Sequence, residues 1–381
     1  MNTDLSTVSF RVLRTGLRVY SVRNVEDLGQ SFVANFRIFF SWDEDADTDS
    51  ESSTIEEWKP DFYFLNIMAE PFYVDGPLLQ RKRNKKTGKV ACSFQVRLIG
   101  KFSAAMNLRH FPFDMQELKI QLRIPRTDKQ GVAGVGLDEG ASGKGVRFDE
   151  DYAQMGDWET LGLSCEIVYE SPGQPNFKPD VVARLVVARR YPYWLHSVML
   201  PLSLIYCLLW YGFAIPRSQG IDRVRHVFTL FSVLLFFKFL VGHKIPHISY
   251  FTLFDSWIVL LFTVAAVTGI GLAVASELEK SGGGEGGSGG ESWSSGAVLD
   301  LVVFLACFGA WALGSAKLGW DAVHIVKARG RAVEAALSSG VLKPVPRRSF
   351  HGSLIKLTPA STPTVPEVAE VQLNTTAGSR V

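Results

Sequence analysis

The distribution of charge along the chain limits its possible folds more than any other feature. After Tyr191, four long stretches carry almost no charge. Residues 194–215 are 22 residues with none, and residues 227–242 hold only Lys238. Residues 256–275 are 20 uncharged residues. Residues 301–316 are 16 more, a stretch that widens to 297–320 with Asp300 and Lys317 near the interfaces. In a helix, about 20 apolar residues span the hydrocarbon of a bilayer. Four membrane helices are expected, over about 194–215, 224–243, 254–276 and 297–320. The clustering explains a mean hydropathy of +0.11 in a chain with 20% charged residues. Lys and Arg number 40 against 38 Asp and Glu, so no charge excess points to nucleic acid. Four cysteines with no Cys-x-x-Cys pair exclude a disulfide scaffold and a zinc ribbon.

The preceding 190 residues have a different texture. Apolar and polar residues alternate at Val8-Phe10-Val12, Leu17-Val19, Phe32-Ala34-Phe36 and Ile38-Phe40. They alternate again at Val90-Cys92-Phe94-Val96-Leu98, Leu118-Ile120-Leu122-Ile124 and Val182-Leu185-Val187. Period two means half-buried antiparallel strands, and many short strands with turn signals between them argue for an immunoglobulin-like β-sandwich. Two loops stand out. Residues 42–58 are acidic, and Asp43, Asp45, Asp47 and Asp49 alternate as in a calcium loop. Thr48 and Thr54 stand where that loop needs Gly and a bidentate Glu, so a solvated acidic loop is expected. Residues 131–145 hold six glycines and read as a flexible insertion. The first ten residues show no secretory pattern.

Specific motifs then add a resemblance. Trp58-Lys59-Pro60-Asp61, with Phe64 and Asn66 behind it, resembles the Trp-x-Pro-Asp…Asn stretch of pentameric ligand-gated ion channels. Phe111-Pro112-Phe113-Asp114-Met115-Gln116 is similar to their Phe-Pro-Phe-Asp-x-Gln loop. Gly156-Asp157-Trp158, Arg190-Tyr191-Pro192, Pro201, and residues 245–250 with Asp255 and Trp257 also resemble family stretches, in the family's order. The resemblance implies an extracellular ligand-binding sandwich over 1–190 and a four-helix pore domain over 191–320. A basic, Pro/Ser/Thr-rich tail follows over 321–381. The two cysteines that name the Cys-loop family fall at Ala104 and Leu118, so that cross-link is absent, as in bacterial members. Cys92, Cys165, Cys207 and Cys307 are then isolated thiols. The aromatic box for amine ligands is not reproduced: Leu65 and Pro125 occupy two of its positions, and loop 170–181 offers only Phe177. The ligand site is left to that loop and the Trp158 region, with no amine agonist expected.

By the same resemblance the second helix lines the pore. Arg225, Thr229, Ser232, Phe236, Phe239 and His243 step by four and three residues along one helix face. A Phe236 ring, with Phe239 and Leu240 above, closes the pore by dewetting, or else Ser232 is the narrowest level. Asp222, Arg223 and Arg225 compete at the inner mouth. An Arg225 ring favours anions; Asp222 either forms a cation-attracting ring or pairs with Arg225. Asp27, Asp114, Arg190 and Pro246 are the expected coupling residues between sandwich and helices. The expected function is a homopentameric, chloride-favouring ligand-gated channel in the plasma membrane. Alternatives are a cation-selective proton-gated channel and a non-conducting accessory subunit. The stimulus is a small molecule or protons, with the acidic loop and His243 as titrating candidates. No cofactor, nucleic acid or enzymatic chemistry is expected, since the Gly-x-Gly-x-x-Gly match in 282–290 lies in a low-complexity linker. The tail poses a conflict: its basic residues prefer the cytosol, whereas family topology and the Asn374-Thr375-Thr376 sequon favour the outside.

Overall fold

The computed structural model describes residues 11–44, 58–83, 89–125, 131–138, 146–148, 156–169, 178–242, 249–282 and 294–343. Ten strands come first: β1 (Arg11–Glu26), β2 (Ser31–Glu44), β3 (Tyr63–Phe64), β4 (Phe72–Arg83) and β5 (Val90–Ser103). β6 (Met115–Arg123), β7 (Val132–Leu137), β8 (Val146–Phe148), β9 (Trp158–Tyr169) and β10 (Pro179–Arg189) complete the set. One sheet runs β4-β5-β2-β1-β7, with β8 also on β1; the other runs β3-β6-β10-β9. The two inner faces close over a core that includes Phe32, Phe36, Phe40, Phe102 and Leu122, all at most 1% exposed. Alternation sets which residues enter this core. In β2, Phe32, Ala34, Phe36, Ile38, Phe40 and Trp42 point in, while Arg37 and Asp43 point away. Ala104 and Leu118 are buried, and all four cysteines are free thiols.

Part of the glycine-rich segment corrects the expectation of a flexible insertion. Val132–Leu137 pairs in parallel with β1, and Tyr169 donates its hydroxyl to the Val135 carbonyl at 3.0 Å. Backbone pairing with an existing strand does not need large side chains, so glycine content hid the strand.

Four helices follow: α1 (Pro192–Phe213), α2 (Gly220–Gly242), α3 (Leu253–Gly282) and α4 (Ser295–Ser338). Each is long and apolar enough to cross a membrane. Pro201 has no N–H to donate within α1, and a π-type turn over Leu195–Met199 precedes it. α3 and α4 pack closely: a Cβ on Gly271 would stand 2.6 Å from Val303. α4 corrects the expected end of the last helix near residue 320. It runs 44 residues, and at 1.5 Å per residue it is about 66 Å long. Its upper part leaves the helical domain and lies against the sandwich, where Lys343 forms a bridge with Leu163 on the outer strand β9. Residues 321–343 therefore stand on the same side as the sandwich.

Candidate coupling interface and pore-lining helix

The join between sandwich and helices is built around one arginine. β10 turns Val181, Ala183, Leu185 and Val187 into the core, and the same parity carries Arg189 inward. Its side chain is 3% exposed. Arg189 Nε donates to Asp114 Oδ1 at 2.7 Å, and its Nη2 donates to Asp27 Oδ1 at 2.9 Å. The guanidinium lies 4.2 Å from the Trp158 ring centre and 4.8 Å from that of Phe111. Gln116 Nε2 donates to Asp114 Oδ2 at 2.7 Å. Burial disfavours charge on Arg189, but the hydrogen bonds it donates to Asp114 and Asp27 overcome this and hold its pKa above the ordinary value. Burial pushes the Asp27 carboxyl up, and Arg189 offsets only part of that rise.

Arg190, the expected member of this cluster, is exposed. Its Nη1 donates to the Gly156 carbonyl at 3.3 Å, and its backbone N–H to Asp157 O at 2.8 Å. The correction is one residue wide and follows from strand parity: a neighbour along a strand points to the other face. Continuing the Val181–Val187 alternation by one step would have found Arg189 from the sequence.

The Phe-Pro-Phe-Asp loop is wedged between the helices. Phe111 lies edge-on to Trp194 of α1 at 4.7 Å and to Phe254 of α3 at 6.1 Å. The Leu108 N–H donates to Tyr250 Oη at 3.0 Å, and the Leu253 N–H to the Arg109 carbonyl at 2.9 Å. From the opposite side, Arg329 of α4 donates to the carbonyls of Asp114 at 3.2 Å and Phe113 at 3.4 Å. One loop thus touches the starts of α1 and α3 and the outer part of α4.

Along α2 the described part of the expected stripe is exposed in the single chain. Arg225, Thr229 and Ser232 are exposed, and Phe236 and Phe239 are 65% and 66% exposed. Thr229 and Ser232 donate back to the carbonyls of Arg225 and Phe228 at 2.8 Å each. Arg225 Nη1 meets Asp222 Oδ1 at 2.9 Å across one turn. Arg223 departs from the expectation of an inner-mouth charge. It is 0% exposed on the back of α2, in line with buried Val227, Leu234 and Val241. There its Nη2 donates to Asp300 of α4 at 2.7 Å, its Nη1 to Ser276 of α3 at 3.3 Å, and its Nε to Gly212 O of α1 at 3.2 Å. One guanidinium ties all four helices together at the inner end. His243 and Pro246 lie outside the described residues.

Residues 15–191 match the family model of the neurotransmitter-gated ion-channel ligand binding domain. That stretch, a little under half of the chain, is similar to such a ligand-binding domain. Three relatives share part of this likeness. The neuronal acetylcholine receptor subunit alpha-9-II of Oncorhynchus mykiss is 25% identical over 193 residues, 50% of this chain and 32% of that protein. The alpha-9 subunit of Gallus gallus is 24% identical over 215 residues, 55% of this chain and 42% of that protein. The alpha-9-I subunit of Oncorhynchus mykiss is 24% identical over 218 residues, 55% of this chain and 36% of that protein. The chain thus matches less than half the length of each relative. The resemblance to pentameric ligand-gated channels read from the motifs is borne out, as is a β-sandwich followed by four helices.

Within the sandwich the expected ligand region is only partly described. Trp158 is 4% exposed and packs on Arg189, so it belongs to the joint and not to an open pocket. Leu65 is 39% exposed on the strand-like segment beside β6, where its N–H donates to the Gln121 carbonyl at 2.9 Å. Residues 170–177 lie outside the described residues, as do Asp45, Asp47 and Asp49. Asp43 lies 4.0 Å from Arg14, and among the described residues no group of three or more metal-ligating side chains converges.

Proposed function

We propose that the chain is a ligand-gated ion-channel subunit, that five identical copies surround a pore lined by α2, and that the pore prefers anions. The observation that carries this reading is the division of charge on α2. Arg225 is exposed on the stripe face, and Arg223 is locked away behind it. In a pentamer the exposed stripe would run from a guanidinium level through hydroxyls to a phenylalanine level. Five guanidiniums at a narrow level raise a barrier to cations, because Coulomb energy grows as the surrounding dielectric falls. The phenylalanine level would close the path by excluding water. The sandwich lies outside the cell at the plasma membrane, and a small molecule or protons supply the stimulus. The Arg189 cluster, held by Asp27 and Asp114, would pass movement from sandwich to helices through Phe111.

A second reading is cation conduction, favoured by the Asp222 carboxylate that meets each Arg225 at 2.9 Å and offsets its charge. The acetylcholine receptor names of the relatives point the same way, although Leu65 and Pro125 argue against an amine agonist. Whole-cell currents under acid steps, with bath chloride and then sodium replaced by large organic ions, separate the readings. A reversal potential that follows chloride supports anion conduction, and one that follows sodium overturns it. Surface protein with no current under acid or candidate ligands would favour an accessory subunit.

A further inference from the structure

Lys238 is the one charged residue within residues 227–242 of α2. Successive helix residues are turned by about 100°, so Lys238 stands about 200° round from Phe236 and away from the exposed stripe. It is therefore not a further ring charge. It borders the buried back of α2, next to Leu234 and Val241. Lys238 lines two largely apolar recesses. One is small and enclosed, walled by Leu202, Leu234, Ile258 and Leu261 among others. The other is open, about 390 Å³, and walled by Phe231, Leu235, Phe262, Thr263 and Ala266. Phe262 borders both recesses and is nine residues into α3, about 13 Å below its first residue, Leu253.

A charge at that depth needs a counter-charge or acceptors. Among the described residues no hydrogen bond or ion pair engages the Lys238 ammonium. Among the described residues a second copy of the chain has no carboxylate to offer at that depth. Asp222, Asp255, Glu277, Glu279 and Asp300 fall at or near helix ends, and Asp321 and Glu334 lie on the outer part of α4, seven residues or more beyond the Gly314 that meets Leu260. The Thr263 hydroxyl already donates to the Val259 carbonyl at 2.8 Å. The counter-anion must come from outside the protein, and the recess beside it is lined for hydrocarbon.

We infer that Lys238 and the open α2–α3 recess form a binding site for a single-chain fatty carboxylate, with the head on the ammonium and the chain against Phe231, Leu235 and Phe262. The open volume takes one chain. A phosphodiester would have to bring glycerol and headgroup down from the interface, whereas a carboxylate is a small anionic head that one chain carries to this depth. The inference rests on the four membrane helices and not on conduction.

The test uses the full chain in uncharged phosphatidylcholine vesicles and a diazirine-bearing palmitate. Irradiation and peptide mapping should place label on the α2 and α3 segments that hold Phe231, Leu235, Phe262 and Thr263. The methyl ester of the same probe should label them about tenfold less, an interaction worth about 1.4 kcal/mol. Lys238→Met should lose the label to the same extent, and Lys238→Arg should keep it. Equal labelling by the ester, undiminished labelling of Lys238→Met, or label confined to other segments would overturn the inference. So would displacement of the probe by phosphatidylglycerol but not by unlabelled palmitate. Labelling needs no current, so failure of the channel reading leaves this test intact.

Discussion

Replacing Arg189 with Gln tests the joint most directly, because its carboxylate neighbours are largely shut off from water. The Asp114 side chain is 1% exposed and that of Asp27 is 12% exposed. Without the guanidinium, two carboxylates share a buried site with no cation between them. Breaking a buried pair by removing one partner costs about 3–5 kcal/mol. The lost contacts with Trp158 and Phe111 add about 0.5–2 kcal/mol. For a domain of this size, 3–5 kcal/mol lowers the thermal midpoint by about 6–20 °C. Arg190→Gln supplies the contrast, since that side chain is exposed and makes one hydrogen bond to Gly156 O, worth about 1 kcal/mol. The assay is thermal unfolding of detergent-solubilised protein, followed by near-ultraviolet signals from Trp158 and its neighbours. Currents from surface-expressed protein are recorded in parallel. Equal losses for the two variants, or a loss below about 1 kcal/mol for Arg189→Gln, would refute the parity argument. Because both carboxylates depend on the same guanidinium, Asp114→Asn combined with Arg189→Gln should cost less than the sum of the two single changes.

Asp300→Asn should destabilise the helical domain by about 3–5 kcal/mol, since it leaves the fully buried Arg223 with neutral partners; assembly on size-exclusion chromatography should fall, and Arg223→Met with Asp300→Leu should recover most of it. Asp222→Asn frees the exposed Arg225 and should raise chloride over sodium permeability about tenfold, equivalent to 1.4 kcal/mol per ion, as read by reversal potentials; no change would remove Arg225 from the conduction path. Phe236→Ala should give a standing leak without stimulus, and a tight pore in that variant would move the gate to another level. Burial holds the Asp27 carboxyl above its ordinary 3.8, so the folded state takes up this proton at milder acid than the unfolded chain does. Its contribution to stability is full below 3.8 and is lost as pH rises through the folded value. Urea midpoints of wild type should therefore lose less than those of Asp27→Asn as pH is lowered through that window.

The strands with a buried and a wet face were legible because alternation reports directly on which side meets the core. β2, β5, β6 and β10 all show it. β4 was hidden because nearly all of its side chains are exposed, so no apolar rhythm marks it. β7 was hidden because its backbone, not its side chains, makes the pairing. That Arg225, Thr229, Ser232, Phe236 and Phe239 share one exposed face of α2 was legible from helical spacing. The same wheel, read on its other side through Val227, Leu234 and Val241, already places Arg223 at the back. The identity of its partners was not legible, since Ser276 and Asp300 come from helices whose rotation no local pattern fixes. The outer half of α4 escaped notice because hydropathy loses its signal where Lys317, Asp321 and His324 begin.

The bridge between Leu163 and Lys343 also has a consequence for how the protein is made. β9 is the outer strand of its sheet, and an open strand edge invites pairing with other chains. The residue that covers part of this edge leaves the ribosome only after all four helices have been synthesised. At about 5–20 residues per second, the sandwich waits on the order of ten seconds or more for its last pairing partner. Over that interval the newly made sandwich carries an uncapped side, and it becomes complete only once the helical domain has been threaded into place.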